Sequence, residues 1–284
     1  MIAQAHGLPR EKLGGNTGEK LGGKTGKNWG RLCAAPNLFE KKAREQTLFY
    51  QNMAKTLRFA PPDGPVHVWI RGNQKQDVFF TAGDRQRYLD LLARHSMEQR
   101  VEILGYCLMT NHVHLVLKPT VEDSLSWMMM GLNAEYAQCI QFKLDRRGHL
   151  WQGRFCSSVM DDPHFWAVMR YVELNPVRAN LVPSAELWPW SSAAAHTGRS
   201  PWPTWLETQP FCSGVSAAEW AERLKTPVNP RERALIWRAT RMNRPLASPA
   251  KIETWETQFS VSLRPGRPGR PKRQWLGSTN AAGA

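Results

Sequence analysis

The stretch Gly105-Tyr-Cys-Leu-Met-Thr-Asn-His-Val-His-Leu-Val-Leu-Lys118 constrains this chain more than any other. It reads as apolar strand broken by one polar clause, Asn111-His112-Val113-His114, and resumes at once as Leu115-Val116-Leu117. Side chains alternate between the faces of a strand, so His112 and His114 point one way and Val113 the other. Neutral imidazole nitrogen is the commonest protein metal ligand. Two imidazoles on one face are therefore either part of a metal site or two polar side chains on the wet face of a half-buried strand. The tripeptide alone leaves both open.

The 284 residues carry a formal net charge of +14, with a pI of about 9.9. Such an excess points to a polyanionic partner, most often nucleic acid, without separating DNA from RNA or from an anionic membrane surface. No apolar run reaches the roughly 18 residues of a membrane-spanning helix, and the N-terminus lacks the apolar core of a secretory signal. The expectation is a cytoplasmic protein with no membrane partner. Cys33, Cys107, Cys139, Cys156 and Cys212 are scattered and form no Cys-x-x-Cys pair, so neither a disulfide framework nor a structural zinc cage is expected. Tryptophan is abundant beyond residue 150, as in Trp188-Pro-Trp190, Trp202 and Trp205. Packing is the ordinary use of such residues, and stacking of single-stranded bases is the other.

Composition divides the chain into a flexible basic extension over residues 1–60, an ordered domain over 61–195, and an accessory region over 196–284 that ends in a basic Arg-Pro-Gly tail. A short helix is expected near Glu40–Gln51. Gly18-Glu-Lys-Leu-Gly-Gly-Lys-Thr25 matches a phosphate-loop pattern, but no apolar strand can precede it, so the match is rejected. Order begins near Pro65. Val66–Arg71 alternates like a strand, Gly72-Asn73 signals a turn, and Val78-Phe79-Phe80 is a second apolar run. Asp84 is placed to cap a helix carrying Tyr88, Leu91 and Leu92. Strands follow at Val101–Leu108 and from His112 to Leu117, forming a hairpin. Ser124 or Ser126 caps a long helix to Phe142, and a strand spans Phe155–Met160. Asp161 or Asp162 caps a helix over His164–Asn175 that Pro176 ends or breaks at its last turn. Residues 183–205 read as loop, with short helices at Ser216–Lys225 and Pro230–Met242. The last of these carries Arg231, Arg233, Arg238 and Arg241. This order predicts an α+β fold, a small antiparallel sheet with packed helices. Arg264–Arg273, with its Arg-Pro repeats, suits phosphate contact, or a DNA minor groove.

Tyr171 and Asn175 lie four residues apart and share a helix face. Tyr171 offers a phenolic oxygen, and the Asn175 amide oxygen can join two imidazoles in an N,N,O set that suits Mg²⁺ or Mn²⁺ holding a phosphate better than it suits catalytic zinc. On chemistry alone Tyr171 serves equally as a packed helix aromatic. Tyr136 is a competing tyrosine on a more apolar helix that lacks an Asn partner. Glu173 points away from Tyr171 and fits a salt bridge or cap.

These segments in this order, His67-Val-Trp-Ile-Arg-Gly-Asn73, Asn111–Leu117, Gly153-Arg-Phe155 and Arg170-Tyr-Val-Glu-Leu-Asn-Pro-Val-Arg-Ala179, resemble the single-tyrosine HUH transposases. Within that group they are most similar to the REP-associated tyrosine transposases, IS200-like in their transposase domain. The resemblance covers roughly Pro65–Ser192. It implies a ferredoxin- or RRM-like HUH endonuclease fold and a divalent metal, Mg²⁺ or Mn²⁺, held by His112 and His114 with Asn175. It also implies Tyr171 as the nucleophile, forming a 5′-phosphotyrosine link and freeing a 3′-hydroxyl. The implied substrates are single-stranded DNA hairpins of REP-like palindromes, with the protein a monomer or a homodimer. Arg71, Asn73, Arg154 and Arg178 are candidate DNA contacts by motif position. The rival readings are a catalytically silent DNA- or RNA-hairpin-binding regulator and a metal-dependent hydrolase that uses water.

Overall fold

The computed structural model describes residues 58–264. The expected helix near Glu40–Gln51, the rejected phosphate-loop match and all of the Arg-Pro tail beyond Arg264 lie outside the described residues. Four strands, β1 (Val66–Arg71), β2 (Val101–Leu108), β3 (His112–Pro119) and β4 (Cys156–Val159), form one antiparallel sheet in the order β2-β3-β1-β4. The fold is α+β, as the order of elements predicts. Strong β-formers supply the ladders, and β2 and β3 join through a three-residue link as a hairpin.

Period-two alternation divides the sheet into two chemically different faces. Val66, Val68 and Ile70 of β1, with Val113, Leu115 and Leu117 of β3, are buried on one side. Against them lie α1 (Ala82–Gln99) and α2 (Ser124–Lys143), whose Tyr88, Leu92, Met128, Leu132 and Tyr136 complete the larger core. The opposite face carries His67, Trp69 and Arg71 in register with Val116, His114 and His112. Here α3 (Asp162–Glu173) packs on β2 and β3, while α8 (Pro230–Arg241) packs on β1 and β4. Between them in the chain come α4 (Asn175–Arg178), α5 (Ala193–His196), α6 (Gln209–Ser213) and α7 (Ala217–Lys225), and α9 (Pro249–Phe259) follows.

Several local expectations are corrected. Thr81, not Asp84, caps α1; Asp84 is the N3 partner of a capping box and also receives Lys143 at 2.5 Å. Neither Ser124 nor Ser126 caps α2. Asp123 occupies the N-cap position in a left-handed conformation, without a side-chain capping bond, and the Ser124 hydroxyl turns back to the Val121 carbonyl. Val78–Phe80 forms no strand: the Val78 and Phe79 amides both go to the Thr110 carbonyl while their side chains fill the core, and the Phe80 N–H goes to the Asp84 carboxylate with its ring exposed. Asp161 is the cap of α3. Pro176 does not stop the chain from turning helically: it sits in the first turn of α4, where its missing N–H is no loss. The Trp- and Pro-rich segment after residue 183 contains α5, and α9 follows α8 without a strong periodic signal.

Two features seat α3. Gly105 faces α3, where a Cβ would stand 2.6 Å from the flexible end of Met169 and displace it. The second is Glu173, which is fully buried at the end of α3. Its Oε1 receives the Ser192 hydroxyl and faces His196 Nδ1, each at 2.5 Å, and its Oε2 receives the Trp220 indole N–H at 2.8 Å. One carboxylate thus ties α3 to α5 and α7, in line with the expected salt-bridge or capping use of Glu173. Replacing it by alanine strands an indole N–H and an imidazole that have no water to turn to. We expect Glu173→Ala to lose about 3 kcal/mol of unfolding free energy in urea titrations, and Ser192→Ala about 1 kcal/mol.

Candidate active site

The site lies where α3 and α8 part over the middle of the sheet. The ladder pairs His114 with Trp69 and His112 with Arg71, so both histidines face the two helices, as strand alternation requires. His114 is buried and His112 is half-buried, their ring centroids 5.1 Å apart. From α3, Tyr171 brings its ring to 5.6 Å from that of His114 and 5.8 Å from that of His67. The Arg178 guanidinium lies 4.4 Å over the Tyr171 ring, and its Nη1 donates to the Tyr171 carbonyl at 2.8 Å. Asn175 stands one turn beyond Tyr171, half-buried, with a buried amide Nδ2 that has no hydrogen-bond partner.

His67 is the residue that the sequence quoted but did not assign. Its Nε2 is 2.9 Å from His114 Nδ1, and its Nδ1 is 2.8 Å from Thr240 Oγ1 on α8. Period-two reading of β1 would place it inward, but nothing in the sequence pairs it with residue 240.

Burial holds all three imidazoles neutral. It pushes His67 down to about 3, helped by Arg178, and His112 down to about 4, helped by Arg71 and Arg178. His114 is also held well below the ordinary imidazole range, by burial first and then by His112, His67 and Arg178. Neutral rings keep a lone pair for a cation. At His112 its position is fixed locally: Asn111 Nδ2 donates to the Lys75 carbonyl, so Asn111 Oδ1 faces His112 Nδ1 at 2.7 Å. Nδ1 must then carry the proton, leaving Nε2 as the free donor atom. Among the described residues no three His, Cys, Asp or Glu side chains are grouped to hold a metal. A cation here would need an amide or the substrate to complete its shell, and the unpartnered Asn175 amide fits that need. Either orientation of an amide presents one polar atom at that position.

The Tyr171 phenol is raised by burial, and Arg178 and Arg233 oppose that rise. A pocket of about 540 Å³ adjoins it, lined by Tyr171, Arg233, Ala234, Trp237, Arg238 and Met242. Trp237 is exposed. A second cavity of about 300 Å³, between the start of β2 and Trp205, contains none of the candidate residues. Of the expected DNA contacts, Arg71 and Arg178 stand at the site. Asn73 sits in the turn after β1, and Arg154 is exposed beside Arg58. The competing Tyr136 is buried and donates its hydroxyl to the Val78 carbonyl at 2.7 Å.

Comparison with protein families finds a match to "Transposase IS200 like" over residues 63–175. That span runs from just before β1 to the first residue of α4, and it contains His112, His114, Tyr171 and Asn175 but not α8. Comparison with curated proteins gives no match. Among solved structures, one of a REP-associated tyrosine transposase bound to a REP hairpin is 16% identical, covering 58% of this chain and 94% of that one, with a TM-score of 0.45. A protein from Deinococcus radiodurans assigned as a transposase is 17% identical over 43% of this chain and 96% of its own, with a TM-score of 0.30. A bacterial tRNA(His) guanylyltransferase-like protein with GTP is 12% identical over 49% and 77%, with a TM-score of 0.31.

The buried imidazoles fix how stability depends on acid. Their folded values lie below the ordinary 6.5, so the unfolded chain takes up protons first. Their contribution is present above pH 6.5 and is lost as pH falls towards 4 for His112 and 3 for His67. Denaturant titrations between pH 7 and 4.5 are expected to lose about 1.4 kcal/mol per pH unit for each such histidine. A flat profile over that range would contradict it.

Proposed function

From the match of residues 63–175 of this chain to the IS200-like transposase family, we propose a metal-dependent endonuclease and strand transferase acting on single-stranded DNA. The proposed substrates are palindromic hairpins, cleaved through a 5′-phosphotyrosine intermediate. The observation that carries this reading is the contact of Tyr171 with His114, with Asn175 one turn further along the same segment. Two imidazoles and an amide oxygen are the donors that would hold Mg²⁺ or Mn²⁺. When bound, such an ion supplies positive charge to the scissile phosphate.

The remaining steps belong to the chain itself. Tyr171 is anchored by the seating of α3, so its phenolic oxygen can be held in line with the phosphorus. The O–P bond to tyrosine forms as the P–O3′ bond breaks, and the phenolic proton leaves as the 3′-oxygen becomes a hydroxyl. Arg178 and Arg233 favour the phenolate against the burial that opposes it. Attack by a 3′-hydroxyl on the phosphotyrosine reverses the exchange, so joining consumes no nucleotide triphosphate. Tyr171 meets His114 within one copy, so a single copy can carry both halves of the site, whether the protein is a monomer or a homodimer. Arg71, Arg178, Arg233 and Arg238 offer charge to phosphates, and Trp237 offers an exposed ring to a base. Asn73 and Arg154 remain candidate contacts on the flanks, and the cytoplasm is the compartment proposed.

The test is incubation of a labelled hairpin oligonucleotide with Mg²⁺ or Mn²⁺. The native protein is expected to give a covalent adduct that denaturing gels resolve. Tyr171→Phe is expected to give none, and His114→Ala to reduce cleavage at least a hundredfold. An adduct that persists in Tyr171→Phe would reassign the nucleophile, whereas cleavage without any adduct favours attack by water. Tight binding by the native protein with no cleavage in either metal favours the silent hairpin binder. Trp237→Ala is expected to weaken single-strand binding by about 1–3 kcal/mol in anisotropy titrations.

A further inference from the structure

The α8 helix lies wholly outside the matched transposase segment, yet its Thr240 reaches the centre of the site. Thr240 is 2% exposed, and its hydroxyl donates to the Ile236 carbonyl one turn back at 2.9 Å. A carbonyl can only accept and a hydroxyl has one proton. Toward His67 Nδ1, 2.8 Å away, the Thr240 oxygen is therefore left as an acceptor. His67 Nδ1 must then carry the hydrogen, and neutral His67 presents a bare Nε2. That nitrogen stands 2.9 Å from His114 Nδ1. The two rings are within 7° of parallel with centroids 5.2 Å apart, so with the facing nitrogens this close they lie edge to edge, as an N–H···N bond requires. His114 Nδ1 must donate, and its Nε2 keeps the lone pair.

We infer that His67 and Thr240 are positioning residues that set the tautomer of His114, so that Nε2 is the atom offered to a divalent ion. Each link has a fixed direction, and the direction originates at a helix carbonyl. The anchor is rigid: just past α8, the Asn243 side chain receives the Ser157 N–H at 2.9 Å and the Arg244 carbonyl receives the Ser158 hydroxyl at 2.6 Å. These bonds hold α8 in register against β4, next to β1. His112 obtains the same tautomer from Asn111 within its own hairpin. The two candidate ligands are thus oriented from opposite sides, one locally and one from the C-terminal region.

The role in metal binding rests on the proposed function, whereas the tautomer assignment does not. The experiment uses the full chain labelled with ¹⁵N-histidine and free of metal, at pH 7.5. Long-range ¹H–¹⁵N spectra, with the His114 signals identified by His114→Gln, are expected to show a protonated Nδ1 and a bare Nε2. Thr240→Val keeps the shape and removes the acceptor, so the chain reverses and His114 becomes protonated at Nε2. Mn²⁺ affinity, read by electron paramagnetic resonance on protein alone, is expected to fall at least tenfold in Thr240→Val and to be restored by Thr240→Ser. A wild-type His114 protonated at Nε2 overturns the inference, and so does an unchanged tautomer in Thr240→Val. The wild-type spectrum keeps the inference testable if Thr240→Val does not fold. Expected tautomers with no Mn²⁺ bound by the native protein support the relay and overturn the metal reading instead.

Discussion

The pairing of β1 with β3 is the interaction on which the rest depends. Its register sets Trp69 opposite His114 and Arg71 opposite His112, and it brings His67 alongside His114 from the neighbouring strand. A slip of one residue would turn His67 towards the large core and Val68 towards the site. Both outcomes are penalised, because Val66, Val68 and Ile70 fill the core under α1 and α2 while the imidazoles find partners only on the other face. Hydrophobic burial on one side of the sheet thereby fixes polar geometry on the other.

The second face solves a different problem. It buries imidazoles, a phenol and an arginine together, where each would be costly alone. The cost is contained by local pairing: the Arg178 guanidinium lies on the Tyr171 ring and bonds its carbonyl, and the three histidines stay neutral. Glu173 is separated from this group and serves to hold the helix. The tyrosine is therefore placed by one set of buried contacts and electrostatically tuned by another.

Much of this is legible in the sequence, for identifiable reasons. The limits of β1 and β2 follow from alternation and from the Gly72 turn, and the hairpin from the shortness of its link. Tyr171 and Asn175 share a face by helical spacing, which survives the change from α3 to α4 through Leu174 and Pro176. Boundaries set by competing caps are less legible: Thr81 and Asp84 are both good N-terminal residues, and only the three-dimensional box assigns their roles. The contribution of α8 is opaque. Its arginines mark a basic helix, but a lone threonine on its buried stripe carries no signal that it will meet a histidine on the first strand. Such a contact is non-local, and no periodicity encodes it.

That long reach has a consequence for the order in which the protein is made. Synthesis delivers β1, the hairpin and the tyrosine helix well before α8 emerges. A nascent or prematurely ended chain would hold Tyr171 and both hairpin histidines while lacking the Thr240 hydroxyl that meets His67. A site that is completed only when a late helix docks is restrained during its own assembly, without any inhibitor.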